Sequence, residues 1–494
     1  MTKKQVQLVT FGLLLACAMS GLDGTIINTA LPAIISDLHG IEYMGWLVAV
    51  FLLGMSVFTP LWSKLGEKFG NKLAFQLAVT LFIISSFLQA QATNIWFFIM
   101  ARALMGIGAG GMGAIPYIIL AQLYQDIQQR SRSLAYVSAS FSVASIIGPL
   151  VGGILVDWFS WHWVFYINIP LGLISIGIVQ FFFKEEFIKK AARFDALGST
   201  LLIVSLLLIL TAIQMSTLLS KIQVGLLFLS GMVLLGLLIT VEKHAKDPIL
   251  PGSIFKNKLL VFDFVVFSLI WGAQICYSIY VPMWAQGLLG TTALIGGLTQ
   301  IPSSIFDFIG SQSANFLNER YKSVNLTVAI GGLAILVAIL ILSLASVNLA
   351  YFWLLFCGIF FGFGVGLVFN ALQIKVQEDA GTKDLAVATS FSFLIRIMAQ
   401  TLMSAIYGLT LNQALLSGVK QTKGQISMAM LNKLSDAVTS VELPSKLLPT
   451  MRRILHQGIH NIMLLAALLL VISLLLLIWA HKKEQIKNLD KLTD

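Results

Sequence analysis

The sequence predicts an all-α polytopic membrane protein, two six-helix bundles with a transmembrane helix pair inserted between them. Three observations predict it. The chain is 57% hydrophobic and 11% charged over 494 residues, with a mean hydropathy of +0.89, a balance that belongs to proteins solvated by lipid. Apolar windows of about 20 residues, the length that crosses about 30 Å of hydrocarbon, recur fourteen times. The lysines and arginines gather in the connections on one side of those windows.

The windows fall at 7–31, 44–62, 73–92, 95–123, 134–157 and 163–184, then 197–217 and 222–242, then 259–284, 292–317, 325–345, 350–374, 386–411 and 459–480. An even number puts both termini on one side. With the N-terminus inside, 23 Lys and Arg lie inside, 7 outside and 2 (Arg102, Arg396) within spans, so both termini are expected in the cytoplasm. The MTKKQ start resembles a secretory signal, yet no small-residue cleavage site ends the run that follows, and it reads as the first span. If 197–242 is an inserted pair, the domains are 1–184, 185–258 with its cytoplasmic linker, and 259–494, the plan of repeat-built secondary transporters. PLWSKLGEKFGNK (60–72) and ANFLNERYKSVN (314–325) echo one another in the two halves. The long connection 412–458 is expected outside, folded into short helices rather than free coil.

Several functional classes are excluded at this level. The net charge of +10 is topological, with no basic groove for nucleic acid. Cys17, Cys276 and Cys357 share no ligand spacing and read as small core fillers, so neither a disulfide framework nor a metal site is expected. No Walker A, HExxH or Gly-x-Ser-x-Gly pattern and no hydrolase-spaced carboxylates are present, which leaves no ATP engine and no enzyme site. GIGAGGMG (106–113) is not a dinucleotide fingerprint, because no strand precedes it.

Asp23 is a lone acid in the first span, and an ionisable group at that depth is a functional hypothesis by default. It lies about 8 residues, or roughly 12 Å, from the outer end of its helix. Arg102 lies about 8 residues from the outer end of the fourth span, so the two charges share a depth. A pair whose making and breaking follows protonation would give a carrier its two-state element. The plainer readings are a polar spot beside Gly21 and Gly24 for Asp23, and a strut satisfying neighbouring carbonyls for Arg102. Asp307, near mid-span in the tenth window, and Arg396, about 10 residues into the thirteenth, also match in depth. Either Asp307 neutralises Arg396, or it faces a cavity and attracts cationic substrates. Trp271, Tyr280 and Trp284 on the ninth span are candidates for stacking on flat cations, although most membrane aromatics pack or anchor, as Trp46 and Trp62 do near span ends. GPLVGG (148–153), with Gly148, Pro149, Gly152 and Gly153, lets the fifth helix bend and a neighbour approach closely.

Five stretches taken in order resemble the fourteen-helix drug:proton antiporter branch of the major facilitator superfamily. LDGTIINTALP (22–32), which contains Asn28 and Pro32, is similar to its first-helix motif. SKLGEKFGNK (63–72) resembles the loop signature between the second and third helices, RALMGIGAG (102–110) the fourth-helix motif, and ASIIGPLVGG (144–153) the fifth-helix antiporter motif. WHWVFYINIPLG (161–172) adds the branch's entry to the sixth helix. Ser63, Glu67, Asn71 and Ala144 depart from the usual residues. The resemblance implies a proton-coupled exporter of amphipathic, cationic compounds working by alternating access, a monomer in the bacterial cell membrane whose partners are a small-molecule substrate, protons and the lipid bilayer. It implies no cofactor beyond the proton gradient. It also implies coupling by Asp23 and Arg102, gating by Leu65, Glu67, Gly70 and Lys72 with the GPLVGG residues, and structural or substrate roles for Asn28, Pro32 and Arg396. Export of a lipid-like or endogenous metabolite, or a receptor that kept the fold and lost coupling, are the alternatives.

Overall fold

A computed structural model describes residues 1–124, 126–185, 196–217, 219–242 and 252–493. Its long helices are α1 (Lys3–Leu38), α2 (Met44–Phe69), α3 (Asn71–Ala90), α4 (Ile95–Leu123), α5 (Ile127–Trp158), α6 (Trp163–Phe182), α7 (Ala196–Gln214) and α8 (Lys221–Glu242). The second part of the chain adds α9 (Lys258–Met283), α10 (Ile301–Tyr321), α11 (Val324–Leu344), α12 (Tyr351–Gly381), α13 (Val387–Gln421) and α14 (Leu448–Thr493). Among the described residues, twelve helices are long and apolar enough to cross a membrane. Two of the fourteen expected windows fall outside that set. The apolar stretch of α7 is Thr200–Ile213, and α10 carries Ser303, Ser304, Asp307, Ser311, Gln312, Ser313 and Asn315 along its length. The linker residues 186–195 and 243–251, with His244, lie outside the described residues.

Side-chain caps set several helix starts. Asn94 accepts from Phe97 N at 2.9 Å, Asp126 from Gln129 N at 2.9 Å, and Thr2 and Gln5 form a reciprocal capping box, each such cap contributing about 1 kcal/mol. Interior prolines free the carbonyl four residues earlier. Pro116 in α4 frees Met112 O, which the thiol of Cys17 approaches at 3.8 Å. All three cysteines are free and buried, so their placement is packing. The tenth window divides into Ala293–Leu298 and α10, because Pro302 stands at the start of α10, where a missing N–H costs nothing. Gly381, with φ of +62°, separates α12 from α13, a left-handed conformation open to glycine.

Within the first six helices, Phe75, Phe82 and Met105 centre one core. A second core is continuous across both halves, joining Phe98 and Phe165 of the first six helices to Phe267, Tyr277, Tyr280 and Tyr407 of the last six. α7 packs against α2 and α13 through Leu202, Leu206 and Leu210, and α8 packs on α7, with Gly231 set against Ser205 and Ile209. The helix pair therefore sits over the seam between the halves.

At the end where α1 turns into α2, the halves are stitched together. Asn432 Oδ1 accepts from Ile41 N at 2.8 Å, Ser36 and Thr439 share a hydrogen bond of 2.7 Å, and the Asp157 carboxylate accepts from Ala293 N and Leu294 N at 2.9 Å each. Below them Gln286 Nε2 donates to Thr29 O at 3.1 Å and Ser404 Oγ donates to Gly45 O at 3.0 Å. Among the described residues, the hydrogen bonds between the halves all lie toward this end. The connection expected at 412–458 is shorter, because α13 runs on to Gln421 and α14 starts at Leu448. The span between holds two short helices, Met428–Leu434 and Ala437–Ser440.

Candidate substrate-translocation site

In the first half, α1 and α4 bring Asp23 and Arg102 together. Arg102 Nη1 donates to Asp23 Oδ2 at 2.7 Å, and the two side chains are 0% (Asp23) and 2% (Arg102) exposed. The guanidinium lies 4.0 Å above the Phe51 ring of α2 and reaches Met105 Sδ at 3.7 Å, whose sulfur also accepts from Gln89 Nε2. The pair is incompletely satisfied: Asp23 Oδ1 and Arg102 Nε have no hydrogen-bond partner. Removing one partner from a buried pair costs about 3–5 kcal/mol, so each charge holds the other in place. The open lone pair on Oδ1 can take a proton without displacing a protein donor. Between α1 and α5, Ala18 and Leu22 with Ala139, Ser140, Val143, Ala144 and Ile147 line a hollow of about 340 Å³.

The glycines of these helices are spacers. A Cβ on Gly106 would stand 2.2 Å from Phe51 O, and one on Gly148 would stand 2.1 Å from Thr25 Oγ1. Gly152 lies against Ile26, whereas Gly153 faces the other half, where a Cβ would meet Leu294 Cα at 2.3 Å. Pro149 contributes its carbonyl to the same crossing, beside Gly297. The GPLVGG stretch is thus both an intra-half and an inter-half contact. Asn28 is buried, and Pro32 removes the helical donor to its carbonyl.

The 63–72 stretch closes within its own half. Gly70 turns the chain at φ of +99°, Lys72 Nζ donates to Gln180 O at 2.8 Å and Phe183 O at 2.9 Å, and Glu185 caps α3 by accepting from Asn71 N at 2.7 Å and Lys72 N at 3.0 Å. Leu65 packs against the first half's core, while Glu67 is exposed and makes no ion pair among the described residues. Glu185 is not legible from sequence, since it stands in a charge run, KEEFIKK, that reads as solvated.

In the second half, Asp307 and Arg396 are not partners. The Asp307 carboxylate lies against α12 at Gly366, where a Cβ would come within 2.8 Å of Oδ1, and the residue is exposed. Because α10 runs on to Tyr321, Asp307 sits 14 residues from that end, farther than the window ending at 317 implies. Arg396 of α13 is 8% exposed and has no carboxylate within 4.0 Å among the described residues. Four rings surround its guanidinium, Phe369 at 4.7 Å, Phe267 at 5.2 Å, Trp271 at 5.3 Å and Phe393 at 5.6 Å. Trp271 is therefore placed beside a cation of the protein itself. Tyr280 and Trp284, expected as stacking platforms, are fully buried, packed edge-on against Tyr407 and His456. In this conformation neither offers a free face to a ligand, because α9 is enclosed by neighbours there.

One cluster leaves no signal in the sequence. Lys375 Nζ, at the end of α12, donates to Asp263 Oδ1 of α9 at 2.5 Å and to Asp379 Oδ2 at 2.9 Å, and the Asp263 side chain is 0% exposed.

Comparison with known proteins places this architecture. The profile of the Major Facilitator Superfamily matches residues 13–408. Multidrug resistance protein 3 of Bacillus subtilis (strain 168) is 28% identical over 508 residues, covering 100% of this chain and 98% of that protein. The multidrug transporter protein MdtP of the same organism is 30% identical over 419 residues, covering 83% and 76%. Among solved structures, an inward-facing, unoccupied bacterial homologue of the human lysosomal transporter Spinster superposes with a TM-score of 0.72 at 12% identity, covering 98% of each chain, a likeness of fold. The chain belongs to the major facilitator superfamily of membrane transporters.

Proposed function

We propose that this protein is a drug:proton antiporter of the cell membrane, with fourteen spans, both termini in the cytoplasm, and α7 and α8 as an inserted pair. The observation that carries the reading is the sealed Asp23–Arg102 pair, a titratable acid and its counter-charge buried in the first half of a transporter whose relatives include a multidrug resistance protein and a multidrug transporter. With the stitched end outside, the described conformation is inward-facing. Proton arrival at Asp23 Oδ1 from the outside would cancel the charge that holds Arg102, and proton release inside would restore it. Coupling then follows if the two protonation states prefer opposite accesses. Substrate-dependent proton movement in liposomes holding only this protein tests the proposal. A compound panel that moves no protons would overturn it.

Two further predictions arise here. Because the native cysteines are buried, an impermeant thiol reagent applied outside intact cells should label Gln425→Cys and leave Lys322→Cys untouched. Labelling in the opposite sense would invert the topology. Asp307 is exposed and stands apart from Arg396, so Asp307→Asn should weaken export of cationic compounds about tenfold, divalent ones most, and spare neutral ones, since a charge in a low-dielectric cavity acts chiefly on charged ligands. Equal loss for neutral and cationic compounds in transport assays would remove Asp307 from substrate binding.

A further inference from the structure

The second half holds a cation that the protein leaves uncompensated. Of the five N–H donors of Arg396, Nε is bonded, to Ser392 O at 3.1 Å, and the described residues offer no acceptor to the rest. Neither terminal nitrogen appears among the sealed, unpartnered atoms of the interior, so the guanidinium edge reaches open space through the 8% of the residue that is exposed. An arginine sealed for structure alone would meet carbonyls or a carboxylate. This one meets a single carbonyl, Ser392 O, and otherwise aromatic faces.

Its surroundings identify the open space as the gap between the halves. Phe393, Arg396 and Gln400 recur at i, i+3 and i+7, one face of α13. Gln400 Nε2 donates to Gln274 Oε1 of α9 at 2.8 Å, and both amides are partly exposed. A stripe of one guanidinium and two amides does not face lipid. Along α13, Arg396 stands 8 residues, about 12 Å, from Ser404, where the halves are joined, on the side of the seam away from the stitched end. Phe369 and Phe393 remain 38% and 45% exposed beside it. Asp307 rests against α12 at Gly366, about one helical turn before Phe369, the ring 4.7 Å from the Arg396 guanidinium.

We infer that Arg396, with Gln274, Gln400 and the faces of Phe369 and Phe393, forms a subsite for the carboxylate of an aromatic compound. Together with Asp307 it would favour aromatic zwitterions over purely cationic dyes. This rests on the drug-export reading and narrows its substrate class. The planar guanidinium suits a carboxylate bidentately, the rings exclude water and stack on the aromatic body, and the two amides complete the anion's hydrogen bonds.

Rhodamine 110 and its methyl ester rhodamine 123 share one dye body and differ by the free carboxylate, so fluorescence anisotropy with the purified full-length protein isolates that group. Wild type should bind the acid at least as tightly as the ester. Arg396→Gln should lower the acid-to-ester affinity ratio about tenfold, the scale of a lost charge-assisted hydrogen bond, and Arg396→Lys should lower it less. Retained ester binding in either variant reports a folded protein. Equal weakening for both dyes, an unchanged ratio, or collapse of both variants to unfolded protein would make Arg396 a strut and overturn the subsite while leaving antiport standing. A wild type that neither binds nor moves either dye in liposomes would overturn both readings.

Discussion

Asp23→Asn should reduce proton-driven export to the leak rate while substrate binding survives. The amide fills the same volume, and its oxygen can still accept from Arg102 Nη1, which lies 2.7 Å from Asp23 Oδ2 in the native pair. What it cannot do is gain or lose a proton. The substitution leaves Arg102 in the charge state it meets when Asp23 is protonated, so one of the two proton-dependent states is no longer available. The Phe51 face under the guanidinium, 4.0 Å away, keeps part of the cation's stabilisation, about 2 kcal/mol for a desolvated contact. Stability should fall by less than the roughly 3–5 kcal/mol of a fully broken pair. The decisive measurement is export under an imposed pH gradient beside substrate binding at equilibrium, in the same liposome preparation. Wild-type export in the variant would remove Asp23 from the mechanism. Loss of binding and export together would make the pair a strut.

The Asp23–Arg102 pair is legible in the sequence because depth in a membrane helix is nearly a linear function of residue number. Two windows with defined outer ends put both charges at one level, and the pairing needs only that the helices be neighbours. The same arithmetic matches Asp307 with Arg396, and there it misleads. The two residues do share a region of α12, but Asp307 lies against Gly366 while Arg396 is set among Phe267, Trp271 and Phe369. Depth fixes a level and leaves direction around the axis open. Direction is normally read from an amphipathic stripe, and α9 has little of one, being enclosed on nearly every side from Ile270 to Met283. That is why Tyr280 and Trp284 look as available as Trp271 in the sequence. Lys375 is hidden for another reason. A hydropathy window stops at its first charge, so Lys375 counts among loop cations, whereas α12 continues to Gly381 and carries it back against Asp263.

That cluster yields the largest expected effect on stability. Lys375 is shared between two carboxylates, and its own side chain is 12% exposed against 0% for Asp263 and 20% for Asp379. Lys375→Met should therefore destabilise the protein by about 3–5 kcal/mol, because it leaves one carboxylate sealed without its cation and a second beside it. Asp263→Asn should cost less. There the lysine keeps Asp379, and the amide oxygen still accepts its proton. The double variant Asp263→Asn with Lys375→Met should recover most of the loss, since no unpaired charge remains sealed, and the size of that recovery measures the coupling. Thermal unfolding read by a thiol-reactive fluorophore suits the protein, because the native cysteines are buried and free. The expected order of melting temperatures is wild type highest, then Asp263→Asn and the double variant, then Lys375→Met. A Lys375→Met protein that melts with wild type, or a double variant no better than Lys375→Met, would show that the lysine is solvated well enough to be dispensable. Asp263 Oδ2, like Asp23 Oδ1, has no hydrogen-bond partner, so the contrast with Asp23 lies in the cation: Arg102 holds one carboxylate, whereas Lys375 is shared by two. The Lys375 cluster links α9, through Asp263, to the C-terminal end of α12, through Asp379, whose carbonyl also accepts from Asn257 at 2.7 Å. Its loss should show first in how firmly those two helices stay joined.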